Sequence, residues 1–223
     1  MFNVTRPQPG PDCSNDYHRE EVIRSLQKMF YGKCYLCEDE VSDPVVEHFI
    51  PHEGDRTLEY NWNNLYCSCH RCNNIKGTAK DLLDCCDAST DVSKAIKCLC
   101  PSIPEHNVII EAQNTSPETQ NTAGLLDRCY NANNTGIRAI SREALHEKLF
   151  DHYLDFIKYR RKIKDKNSTS KEKDDAKEHL ENMMDVSYPF SIFWKWHVLG
   201  DAFLSGQLAV NGIMRNNYEG GCP

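Results

Sequence analysis

Apolar residues change their spacing several times along the chain, and each change marks a different element. Val22, Ile23, Leu26, Met29 and Phe30 recur at three- and four-residue steps, which predicts an amphipathic helix closed by Gly32. The proline-rich stretch before it, residues 7–11, reads as an extended arm. Between residues 34 and 77 the period dissolves into short apolar pieces, Pro44-Val45-Val46, His48-Phe49-Ile50-Pro51, Trp62 and Leu65-Tyr66, set among Cys, Asn and His. Residues 81–120 are mixed. Val108-Ile109-Ile110 stands out there as a strand fragment, and residues 114–121 have the composition of a loop. Helical spacing returns beyond Thr122, first around Leu125, Leu126 and Cys129, then in a longer run holding Leu145, Leu149, Phe150, Tyr153, Leu154 and Ile157. Residues 166–170 form a polar break. Thr169, three positions before Glu172, offers a capping box for a helix reaching about Met184. Pro189 takes a first-turn position ahead of Phe190, Phe193, Trp194 and His197.

Composition narrows the function classes. With 223 residues, 39% hydrophobic and 26% charged, the chain can bury a core and is not a disordered polymer. No apolar run approaches the roughly 18 residues of a membrane span, and the start of the chain lacks an export signal, so a cytoplasmic protein without a membrane partner is expected. The net charge of −7 argues against general coating of nucleic acid, which Lys and Arg drive by displacing counterions. Residues 156–173 are a local exception: Lys158, Arg160, Arg161, Lys162, Lys164, Lys166, Lys171 and Lys173 face only Asp165 and Glu172. That run suits a solvated helix end or a guide for a phosphate backbone.

Twelve Cys in a reducing compartment call for metal ligation before disulfides. Cys34-x2-Cys37 and Cys69-x2-Cys72 are two knuckles, each short enough for both sulfurs to reach one ion, and together they supply four thiolates for structural zinc. The alternative is ordinary buried thiols. Cys67 forms a competing C-x-C pair with Cys69 and is assigned to packing. Little apolar material lies in this region, so the metal is expected to stand in for a core. Cys85, Cys86, Cys98 and Cys100 receive no role, packing being favoured over a second cluster.

Between the knuckles lie Glu47-His48-Phe49-Ile50-Pro51 and Asn61-Trp62-Asn63-Asn64-Leu65, and Asn73 follows the last thiolate with Lys76-Gly77 behind it. This order resembles the HNH endonuclease family. The resemblance implies a ββα-metal motif with a general base at His48, a catalytic Mg or Mn between Glu47 and Asn73, and a bracing or His-orienting role for Asn64. The chemistry agrees: a neutral imidazole can take a proton from water near neutral pH, and a hard divalent cation prefers the oxygens of Glu47 and Asn73. Lys76 could neutralise a substrate phosphate or sit solvated at a helix end. His70, between zinc ligands, is a weaker alternative contact than Asn73.

The wider pattern, Cys34-x2-Cys37-Glu38, Glu47-His48-Phe49-x-Pro51, Trp62-x-Asn64-Leu65 and Cys69-x2-Cys72-Asn73-x2-Lys76, is similar to the PtuB family, the HNH component of Septu and related retron-associated anti-phage defence systems. Tyr130-Asn131-x2-Asn134-Thr135-x2-Arg138 and Tyr188-Pro189-Phe190-Ser191-x-Phe193-Trp194 extend the likeness. Ile50 and His52 depart from it where basic residues are frequent. The resemblance implies a nuclease acting on nucleic acid, DNA foremost, beside a PtuA-like ATPase. No G-x4-G-K-[ST] loop occurs in this chain, so a P-loop must come from a partner. The expected architecture is α+β, a zinc-braced ββα-metal module embedded in a mostly helical protein. Residues 1–33 would be an arm and helix, 34–80 the nuclease module, and 81–223 a helical region for partner docking. A zinc-stabilised adaptor without catalysis and an HNH nuclease directed at RNA, including tRNA, are the competing readings. Trp194 and Trp196 fit core packing or partner docking better than base stacking.

Overall fold

In the computed structural model of the chain, residues 1–209 are described. Helix α1, Glu20–Met29, turns Val22, Leu26 and Met29 inward, as its spacing predicts. Strand β1, Val45–His48, pairs antiparallel with β2, Leu65–Ser68, in the register Val45 to Ser68 through His48 to Leu65. Helix α2, Arg56–Glu59, capped by Asp55, and a single 3-10 turn, Trp62–Asn64, make the return between them. Helix α3, His70–Lys76, follows β2 directly and packs on β1, completing a ββα unit. Cys69 is its N-cap.

This unit does not lack a core. Phe30, Tyr35, Leu36, Leu65 and Tyr66 are all fully buried, with Tyr35 and Tyr66 ring centroids 5.0 Å apart and Phe49 stacked on Tyr66 at 5.0 Å. The expectation that metal would stand in for a core fails because α1 supplies the missing apolar face against β2.

A second antiparallel pair, β3 Ile96–Leu99 and β4 Ile109–Ala112, follows the short helix α4, Val92–Ala95. It packs against α5, Pro117–Asn131, and α8, Ser191–Gly200. The loop expected over residues 114–121 ends at Ser116, whose side chain accepts from Thr119 N while Pro117 fills the first turn. A polar Ser-Pro-Glu step that looks loop-like is a helix start when its orphan amides find a cap.

Helix α6, Gly136–Lys164, runs 29 residues, about 44 Å at 1.5 Å per residue. Helix α7, Ser170–Met183, packs along it after the polar break and carries the complete Thr169–Glu172 capping box. Helix α8 begins two residues later than Pro189 suggests. Phe190 is its N-cap in the left-handed region, φ 55°, because the fully buried Phe190 side chain must turn into the core while its N–H donates to Glu38 O at 3.3 Å. Trp194 and Trp196 are core residues with Nε1 donating to Pro189 O and Ile96 O, 2.9 and 2.8 Å, so neither is free to stack on bases. The basic run ends α6 and starts α7, with Lys162 paired to Glu172 at 2.9 Å and Arg160 to Asp201. No helix among the described residues is long and apolar enough to cross a membrane.

Candidate active site

The two knuckles meet. The sulfurs of Cys34, Cys37, Cys69 and Cys72 all lie within 4.8 Å of one another, and Cys37 Sγ to Cys69 Sγ is 3.9 Å. Four sulfurs placed about 2.3 Å from a tetrahedral ion would be separated by about 3.8 Å, so the donor set fits zinc in identity and spacing. Cys67 is buried on β2 and pushed up to about 12 by burial and the neighbouring thiols, consistent with packing. Cys98 and Cys100 are buried on and beside β3 and belong to no metal-like group among the described residues.

The knuckles are tied to the helical half. Arg71, between two ligands, donates to Cys129 O at 2.8 Å, Ala132 O at 2.7 Å, Arg138 O at 2.8 Å and Ser141 Oγ at 2.6 Å. Tyr130 Oη donates to Cys37 O at 2.5 Å. Glu38, buried and in the left-handed region at φ 58°, accepts from the Met1 amino group at 2.7 Å and Ser191 Oγ at 3.0 Å.

Glu47, His48 and Asn73 line one cavity of about 320 Å³, together with Pro51, His52, Glu53, Gly77 and Thr78. His48 Nε2 lies 2.9 Å from Glu59 O. A carbonyl only accepts, so Nε2 carries the proton and Nδ1 is the basic nitrogen. Burial lowers the His48 pKa, an effect opposed by the Glu59 carbonyl and reinforced by His52, whose ring centroid is 4.7 Å away. Tyr17, from the arm, packs edge-on against His48 at 4.8 Å.

Asn64 is 4% exposed and does not line the cavity. Its Oδ1 accepts from Ile50 N at 2.7 Å, and its Nδ2 donates to Ile50 O at 2.8 Å and Leu58 O at 3.1 Å. It therefore pins both ends of the segment linking His48 to Glu59. Asn73 keeps its side-chain amide without a hydrogen-bond partner among the described residues, leaving its oxygen available to a cation. Glu47 is pushed up by burial against the pull of Lys76, whose Nζ sits 2.7 Å from Oε1.

Lys76 is a correction. It is 3% exposed, donates also to His48 O at 2.9 Å, and is absent from the cavity wall. Neither a solvated helix end nor the expected phosphate contact fits this placement, because the ammonium is turned under β1 by the carboxylate it neutralises. His70 points elsewhere, exposed and 3.3 Å from Asp43. His52, which the sequence places near the site and marks as a departure from the likeness, faces the cavity; Gly54 N donates to its Nδ1 at 3.3 Å, leaving Nε2 as the protonated nitrogen. Its position two residues beyond Phe49-Ile50 was the available signal.

Part of the chain is similar to a Septu protein. The Septu protein PtuB of Bacillus thuringiensis is 47% identical over 58 residues, 24% of this chain and 23% of that protein. The Septu protein PtuB of Bacillus mycoides strain KBAB4 is 41% identical over 73 residues, 26% of this chain and 25% of that protein. The matched segment thus spans about a quarter of these curated relatives. No protein-family model matches the chain, and no solved structure does.

Proposed function

We propose that this chain is a metal-dependent endonuclease of the HNH type, acting on nucleic acid, DNA foremost, within a Septu-like anti-phage defence complex. The convergence of Glu47, His48 and Asn73 on one cavity supports this reading most directly. The likeness to PtuB supplies the defence context, and a PtuA-like ATPase as partner for the helical region follows from the same reading.

Glu47 and Asn73 would hold Mg or Mn, which suits their oxygens; Glu47 would offer Oε2, since Oε1 faces Lys76. Such an ion would steady negative charge on the phosphate and the leaving oxygen. His48 Nδ1 would take the proton of the attacking water, and the Glu59 carbonyl keeps the ring in the tautomer that makes this possible. His52 Nε2–H, on the cavity wall, would donate to a phosphate oxygen, the part expected of Lys76. Asn64 positions the segment that carries Glu59, and Lys76 positions Glu47.

The Glu47–Lys76 ion pair favours a second reading, a zinc-stabilised adaptor whose acid is structural. The deciding experiment incubates zinc-loaded protein, alone and with the ATPase partner, with DNA or RNA and Mg. His48→Ala should keep zinc and cooperative unfolding and lose cleavage. Cleavage retained in that variant refutes the base. A wild-type protein inert on both nucleic acids with the partner present favours the adaptor.

A further inference from the structure

A cavity of about 680 Å³ lies away from the zinc knuckles, between the arm, the Cys85–Cys86 turn and α8. Cys86 lines it and is partly exposed; Cys85 is fully buried beside it. The two sulfurs and an Asp84 oxygen lie within 4.8 Å of one another. Arg6 donates through one terminal nitrogen to Cys86 Sγ at 3.4 Å, and through the other to Trp62 O at 2.7 Å and Leu65 O at 3.0 Å. Its guanidinium also faces the Trp62 and Tyr66 rings, 5.2 and 4.8 Å from their centroids, so its charge is fixed in place.

These three ligands could suggest a second metal. The surroundings argue otherwise: a guanidinium adjoins the sulfur, and Asp84 Oδ1 already accepts from Tyr66 Oη and from Cys86 N at 2.7 Å. A fixed cation beside a sulfur, with a second thiol in reach, is an arrangement that stabilises a thiolate rather than a metal cation.

We propose that Cys86 and Cys85 form a hydroperoxide-reactive thiol pair, with Cys86 the attacking sulfur, Cys85 the resolving one and Arg6 the residue that holds Cys86 as thiolate. The Cys86 thiol is brought down to about 7 by the hydrogen bond with Cys85 and by Arg6, while burial pushes Cys85 well up. In the first step Cys86 sulfur attacks a peroxide oxygen: an S–O bond forms, the O–O bond breaks, and hydroxide or alkoxide leaves and takes a proton, giving Cys86 sulfenic acid. In the second, Cys85 gives up its proton and attacks Cys86 sulfur. The S–S bond forms, the S–O bond breaks and water departs. Two thiols lose two electrons, and the peroxide is reduced to two waters, or to water and an alcohol. Adjacent Cα atoms are 3.8 Å apart, short of the usual 4.4–6.8 Å span of a disulfide, so the bridge is strained and readily returned by thiols. Bridging removes the anion facing Arg6. The proposal is independent of the nuclease reading.

The test uses zinc-loaded full-length protein treated with hydrogen peroxide, then peptide mapping by mass spectrometry, with zinc release followed by a chromogenic chelator. A single peptide lacking two hydrogens across Cys85–Cys86, restored by dithiothreitol and formed before zinc leaves, is expected. In Cys85→Ser, dimedone should capture Cys86 as the sulfenic acid. Without any substitution, Cys86 should be alkylated by iodoacetamide at pH 7 about threefold faster than an unperturbed cysteine peptide: about half is thiolate against roughly 3%, and its lower nucleophilicity takes back about fivefold. Arg6→Gln should remove that advantage and move the pH midpoint of alkylation upward, and Arg6→Lys should restore part of it. Alkylation no faster than the peptide, or oxidation of Cys13 or the zinc thiolates while Cys85 and Cys86 stay reduced, would overturn the proposal.

Discussion

Replacing Asn64 by Ala separates bracing from catalysis. The side chain makes three hydrogen bonds, to both backbone groups of Ile50 and to Leu58 O, and is almost fully buried. At about 0.5–1.5 kcal/mol net for each, their loss costs roughly 1.5–4.5 kcal/mol. For a chain of this size the midpoint corresponds to a fall in Tm of about 6–12 °C. Asn64→Asp should be no milder, since it would turn a carboxylate oxygen toward two carbonyls in place of an N–H donor. The assay is urea unfolding of zinc-loaded protein, paired with amide hydrogen exchange at Ile50, whose N–H should lose protection selectively while zinc content holds. Under the proposed nuclease reading, cleavage should fall as well, because the Glu59 carbonyl would no longer hold the His48 tautomer. A change below about 0.5 kcal/mol with Ile50 protection intact would refute the bracing role.

Three further outcomes are expected. Wild type purified with zinc supplied should carry one zinc per chain by atomic emission, and Cys37→Ser or Cys72→Ser should lose it and unfold at lower urea; a wild type that takes up no zinc would rule the centre out. His197, which accepts from Cys100 N at 3.1 Å and is brought down to about 4 by burial, is held neutral in the fold. Its contribution, about 3 kcal/mol, is complete above pH ~6.5 and is lost as pH falls toward 4; His197→Gln should flatten the pH dependence of urea midpoints in that window. Arg71→Ala should cost about 3 kcal/mol, because part-buried carbonyls at the end of α5 and in the first turn of α6 lose their charged donor, and a change within 0.5 kcal/mol in chemical denaturation would contradict the tether.

The candidate metal ligands were legible because their spacing is itself chemistry: two sulfurs two residues apart can reach one ion wherever the rest of the chain lies. The Thr169–Glu172 box and the long α6 were legible for a similar reason, since capping and helical period are local. Lys76 was misread because its fate depends on Glu47, a strand away, which drew the ammonium inward. Tyr17 gave no signal at all; it meets His48 only because the arm folds across the hairpin. Strand β3 escaped notice because its four residues alternate weakly between buried and half-buried, and its partner supplies the pairing that makes it a strand. The pairing of Arg6 with Cys86 spans 80 positions and no local pattern announces it.

The bonds from Arg71 and Tyr130 join the four sulfurs to α5 and α6 as firmly as to the hairpin. Loss of the ion would therefore loosen two distant regions together: the cleft with its imidazoles, and the helical face opposite. Under the function proposed, a chain starved of zinc would be silent by default, presenting neither a cutting edge nor a surface on which to assemble.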